Sequence, residues 1–114
     1  MATEYLPRIH GGSLIAIDVR DSDRGPVMYV SGELDITNSD LLLQAVRTLD
    51  LDGQRSVVLD LTGLTFCDAS GAAAFIEASR HLRHVGGRLR ITGASGLPRR
   101  VLTLTGVDEY LEVQ

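Results

Sequence analysis

The sequence predicts one α/β domain built on a small mixed sheet, and three observations predict it. Short, β-branched segments at 13–19, 27–32, 56–61 and 89–92 read as strands. Segments with apolar residues at helical spacing follow the second, third and fourth of them. Breaks rich in glycine or proline (Gly11-Gly12, Arg24-Gly25-Pro26, Gly86-Gly87) separate the segments, and none is long enough to be an interdomain linker. With a last extended segment at 110–113, the order gives a sheet of four to five strands and three to four helices. A chain of 114 residues that is 44% hydrophobic has room for one core.

Residues 1–12 have no clear period and are expected to form a flexible N-terminus, with the domain at 13–114. Ser13–Val19 is the first strand. Asp21 to Pro26 is dense turn chemistry, which makes Val27–Gly32 the hairpin partner of that strand. Thr37 is placed to cap a helix, Asp40 favours its N-terminal dipole, and Leu41, Leu42, Ala45, Val46 and Leu49 follow on one side. The nearly unbroken apolar run at 56–61 predicts a strand buried on both faces. A short turn over 62–67 leads through Asp68-Ala69-Ser70-Gly71 into a helix from Ala72 to about Val85, with Ala72, Phe75, Ile76, Ser79 and Leu82 along one side. Gly86-Gly87 supplies its left-handed end. Ser95 and Pro98 open a third helix with Val101, Leu102 and Leu104 facing inward, and Gly106 stops it.

The net charge of −4 argues against general affinity for nucleic acid, but it is unevenly spread. Residues 1–68 carry 11 acidic groups and 5 arginines; residues 69–107 carry Glu77 against 6 arginines. Those arginines read as solvated or paired with the acidic half, with an acidic partner or a phosphate as the alternative. No apolar run reaches the roughly 20 residues of a membrane helix. A single cysteine and the lack of a basic-then-apolar start fit a soluble, cytoplasmic domain.

Catalytic chemistry finds little support. The chain has no lysine, hence no lysine-bearing phosphate loop. Cys67 has no base beside it and reads as packing. His81 and His84 have metal-compatible spacing without a third ligand nearby, so they read as surface residues. Asp18, Asp35, Asp60 and Asp68 fall in or near strand ends, where carboxylates can hold a divalent ion, but no second matched cluster accompanies them. Neither cofactor nor metal is expected. In an α/β sheet, sites form in loops leaving the strand C-termini, and the loops after 27–32 and 56–61 are such loops.

Gly32-Glu33-Leu34-Asp35, Leu59-Asp60-Leu61 and Phe66-Cys67-Asp68-Ala69-Ser70-Gly71, in that order and followed by a helix, Gly-Gly and a strand, resemble the STAS-domain family of bacterial anti-sigma-factor antagonists over about residues 13–113. The resemblance implies a single STAS domain with helices mainly on one face of the sheet. It also implies a non-enzymatic switch. The unmodified antagonist binds an anti-sigma factor with a serine-kinase ATPase fold and frees a sigma factor; phosphorylation of the serine after the aspartate ends the complex, and a phosphatase resets it. By position, Asp35, Thr37, Asn38, Asp68, Ala69, Ser70 and Gly71 are the partner-binding residues. Ala69 stands where the family has its phosphoacceptor, which leaves Ser70 as the hydroxyl open to phosphorylation. The resemblance implies neither direct nucleic-acid nor membrane binding, and a monomer or weak homodimer. The alternatives are an unswitched STAS subunit of another complex, such as a lipid transporter, and a nucleotide-binding or phosphotransfer enzyme.

Overall fold

The turn chemistry at 21–26 reverses the chain. Ser22 and Gly25 exchange two backbone hydrogen bonds of 3.1 Å, and the Ser22 hydroxyl donates to the Gly25 carbonyl at 2.6 Å. The reversal sets β2 (Ile15–Arg20) antiparallel to β3 (Val27–Leu34), with Ile15 opposite Gly32 and Arg20 opposite Val27. This structure is a computed structural model and describes residues 3–5, 14–51, 53 and 56–114. β1 (Thr3–Tyr5) pairs antiparallel with β2. It lies within the segment expected to be flexible, and the rest of that segment falls outside the described residues.

β3 runs two residues past its expected end at Gly32. That glycine has φ 95°, and a Cβ there would stand 2.3 Å from the Leu14 carbonyl oxygen. Only glycine tolerates both conditions, so the chain passes through a bulge and does not break. Either side of the bulge β3 has a different parallel neighbour. Val27–Tyr29 pair with β4 (Ser56–Asp60), and Gly32–Leu34 pair with β5 (Leu64–Cys67).

The strand β5 corrects the reading of 62–67 as a turn. The turn is confined to Thr62-Gly63, where Asp60 Oδ1 accepts the Thr62 N–H at 2.9 Å and Leu64 N–H returns to Leu61. Four residues then suffice to pair, with Leu64 and Cys67 buried at the ends. β6 (Arg88–Thr92) and β7 (Glu112–Val113) complete a sheet in the order β1-β2-β3-β4-β6-β7, with β5 beside β3 off that path. The sheet is mixed, as expected, and gains β1 and β5 over the four or five strands read from the sequence.

Three α-helices, α1 (Ser39–Arg47), α2 (Ala69–His84) and α3 (Gly96–Leu104), and a 3-10 turn at Val107–Glu109 carry the crossovers. They cover one face. Ile15, Ile17, Met28, Val30, Val57, Leu59, Leu89 and Ile91 point into the core and meet Leu42, Val46, Phe75, Ala78, Leu82 and Leu102 from the helices. Each fully buried large side chain contributes about 1.5–3 kcal/mol of transfer free energy. The alternate strand residues lie on the other face. There Val58 and Asp60 are half-buried and Ser56 exposed, which corrects the expectation that 56–61 is covered on both sides. Val58 sits in register between Val27 and Arg90, so an apolar side chain on that face is flanked by its sheet neighbours without a second helical layer. Leu104, expected inside, is 81% exposed, because it falls in the last turn of α3 after the buried stripe has rotated away.

Candidate functional site

β3 and β5 run parallel and end together, with Leu34 in register with Cys67. The next residue on each strand is an aspartate, Asp35 and Asp68. Asp68 N–H donates to the Leu34 carbonyl at 3.3 Å, joining the two loops through backbone. The structure therefore brings the Asp35–Asn38 loop and the Asp68–Gly71 turn side by side at one end of the sheet.

In the first loop, Asp35 Oδ1 accepts from the Thr37 N–H at 2.9 Å and from the Thr37 hydroxyl at 2.5 Å. Thr37 thus closes a local turn with Asp35 and does not cap α1, as the sequence suggested; the helix starts at Ser39 with Asn38 in the cap position. Asn38, expected to touch a partner, is 5% exposed. Its Oδ1 accepts the Asp35 N–H at 3.0 Å and its Nδ2 donates to the Glu33 carbonyl at 2.8 Å. It is an internal strut: a buried amide satisfies two backbone groups that the end of a strand leaves open. The strut and the Asp35–Thr37 turn push Ile36 outward, where it is 75% exposed. Sequence reasoning passed over Ile36. Its signal was an isolated apolar residue in a polar turn.

In the second loop, α2 begins three residues earlier than expected. Asp68 has extended backbone and caps it, accepting the Gly71 N–H on Oδ1 at 3.0 Å, while its carbonyl accepts the Ala72 N–H. Those bonds leave the N–H groups of Ala69 and Ser70 at the positive end of the helix dipole. Ala69 occupies the first helical position and is exposed; Ser70 follows and is half-buried. Gly71 is buried for a steric reason. A Cβ there would lie 2.7 Å from Cys67 Sγ and 2.9 Å from the Leu34 carbonyl oxygen. Gly71 therefore lets α2 rest on the end of β3, and that contact keeps both loops in register.

The Cys67 thiol is not an activated nucleophile. Cys67 is buried and donates its thiol to the Asp68 carbonyl at 3.3 Å. Burial, with the neighbouring Asp68 charge, pushes its pKa up to about 12. Among the described residues, no three His, Cys, Asp or Glu side chains gather where they could hold a metal ion. The arrangement is a pair of rigid polar loops with one exposed apolar side chain, a surface suited to a protein partner.

Comparison with known proteins bears on the fold and the family. A family model described as Mlab, STAS domain, matches residues 17–113. The anti-sigma-B factor antagonist of Listeria monocytogenes is 24% identical over 101 residues, covering 88% of this chain and 89% of its own length. The crystal structure of an anti-sigma factor antagonist from Mycobacterium paratuberculosis superposes with a TM-score of 0.76 at 27% identity, covering 87% of this chain and 84% of that one. The unphosphorylated form of the antagonist SpoIIAA shares the fold at a TM-score of 0.70 and 21% identity, covering 86% of this chain and 87% of its own. Most of the chain is matched in sequence and in fold, with both loops inside the matched span, and it belongs to the STAS-domain family.

Proposed function

We propose that this chain is an anti-sigma-factor antagonist that binds a kinase-fold anti-sigma factor through the Asp35–Thr37 and Asp68–Ser70 surface, and stays binding-competent whatever the supply of ATP. The observation that carries the reading is Ala69. It holds the exposed first position of α2, beside the Asp35 loop, where the resemblance puts the phosphoacceptor serine. A methyl group cannot accept a phosphoryl group. Phosphate at that position would add about −1.5 to −2 charge between two aspartates, and this chain forgoes that means of release. Ser70 lies one residue on, roughly 100° around the helix, and is half-buried, which makes it a poorer substitute.

A second reading is the alternative that the resemblance leaves open: an unswitched STAS subunit of a transport complex, using the same surface. Affinity capture of the tagged protein from its own cells separates the two. Recovery of an ATP-binding anti-sigma kinase supports the antagonist, and recovery of transporter subunits replaces it. With the kinase in hand, Ala69→Ser should become phosphorylated and released in ATP while the native chain stays bound. Phosphorylation of the native chain at Ser70, with release, would refute the unswitched antagonist.

A further inference from the structure

Among the described residues the helices cover one face of the sheet, and the pairing register orders the side chains on the other. One row across the strands holds Arg20, Val27, Val58 and Arg90 on β2, β3, β4 and β6. The next row, two residues along each strand, holds Asp18, Tyr29, Asp60 and Thr92. We infer that this face docks a second copy of the chain, as a weak two-fold dimer.

Two observations mark the face as one that is covered. β3, β4, β6 and β7 pair in parallel, and parallel sheet is ordinarily covered on both sides. The middle of the face is also apolar: Tyr29 is 43% exposed, with Val27 and Val58 half-buried beside it. The identity of the occupant follows from the charges. Asp18 and Arg20 stand two residues apart on β2 and pair at 2.8 Å, and the Arg20 guanidinium lies 5.6 Å from the centre of the Tyr29 ring. On the far side of the apolar strip, Asp60 is diagonal to Arg90. Both signs therefore flank one strip, and a partner of a single dominant charge finds no field to match. A copy of the same face does match. A two-fold axis running across the strands, between the two rows, lays each row on the other row of the second copy. Arg20 then meets Asp18 of the second copy, Val27 meets its Tyr29, and Arg90 lies beside its Asp60. Each contact occurs twice.

Five strands about 4.8 Å apart, with about three rows of outward side chains, give roughly 500 Å² per copy. That total lies below the standard size of a stable complex, so the pair comes apart in dilute solution. Strand directions oppose in the pair, which leaves the Asp35 and Asp68 loops free at its two ends.

The test is sedimentation equilibrium of the full chain from about 10 μM to about 1 mM, a range that reads weak association. The mass is expected to rise toward twice that of one chain. Arg20→Asp, at an exposed position, sets carboxylate against carboxylate and should weaken association about tenfold or more. Asp18→Arg/Arg20→Asp restores the pair within each chain and between the two, so association should return to within about threefold of the native value. A chain that stays monomeric throughout, its face left to solvent or to another protein, would overturn the inference. An association that Arg20→Asp leaves unchanged would do the same, since it places the contact elsewhere on the chain. So would a folded double variant that fails to recover.

Discussion

Gly71→Ala is the substitution that most directly tests how the site is built. The new Cβ would approach Cys67 Sγ at 2.7 Å, the Leu34 carbonyl oxygen at 2.9 Å and Leu34 Cδ2 at 3.1 Å. Two of those atoms cannot step aside cheaply: one is strand backbone and the other is a thiol in a filled core. Overpacking of this kind costs about 1–3 kcal/mol. Alanine recovers up to about 1 kcal/mol through helix propensity, less in a first turn. The net expectation is a loss of about 1–2 kcal/mol. For a domain of this size that lowers Tm by roughly 5 °C or more. Partner affinity should fall as well, since the Leu34 carbonyl also holds the Asp68 N–H.

Urea unfolding of the single and double variants makes the argument quantitative. Cys67→Ala removes the sulfur nearest the new methyl group, so Cys67→Ala/Gly71→Ala should be more stable than the sum of the two single losses, by about 0.5–1.5 kcal/mol. The rescue stays partial because the Leu34 carbonyl remains in the way. A Gly71→Ala protein as stable as the native one, or a strictly additive double variant, would show that α2 does not rest on β3 in this manner.

Three further outcomes are expected. Asn38→Ala leaves the Asp35 N–H and the Glu33 carbonyl without their side-chain partner and should cost about 1–3 kcal/mol in urea unfolding; an unchanged midpoint would refute the strut. Ile36→Ala, at an exposed position, should leave stability within about 0.5 kcal/mol while lowering affinity for the captured anti-sigma factor about tenfold, which calorimetry reads directly. Cys67 gives a pH dependence. Its folded pKa of about 12 stands above the ordinary 9.0, so the folded state holds the thiol proton more tightly. The stability from this group is complete below about pH 9 and is lost, by at most about 1.4 kcal/mol per pH unit, as pH rises toward 12. Unfolding midpoints at about pH 8 and about pH 10 should therefore diverge more for the native chain than for Cys67→Ala; parallel curves would refute it.

Much of the fold was legible because its elements announce themselves through period and punctuation. The 21–26 turn, the α1 stripe of Leu42, Ala45 and Val46, and the glycine ends at Gly86 and Gly106 appear where periodicity and turn chemistry put them. What escaped depends on distant chain. β5 is four residues long and is a strand only because β3 offers its far half to pair with. The apolar run at 56–61 has the composition of a strand covered twice, yet among the described residues a single helical layer covers it. Within the site, the aspartates and Gly71 could be picked out by type and order. The roles of Asn38 and Ile36 could not, because burial of one and exposure of the other follow from how the Asp35–Asn38 loop closes on itself.

That closure bears on why Ala69 can stand where it does. Asp68 and Gly71 are tied into the structure: one caps α2 and bonds back to β3, the other fits where no Cβ can. Replacing either disturbs both loops. Ala69 lies between them, exposed, and on the proposed reading it is the position of the turn where a hydroxyl would contribute to regulation and nothing to packing. Gain or loss of the phosphoacceptor is therefore nearly free of structural cost. A binding surface of this kind can keep its geometry while its off-switch is removed by a single change, whereas moving the switch to Ser70 would require phosphate on a half-buried side chain about 100° around the helix. On the proposed reading, the surface and its regulation are separable at Ala69.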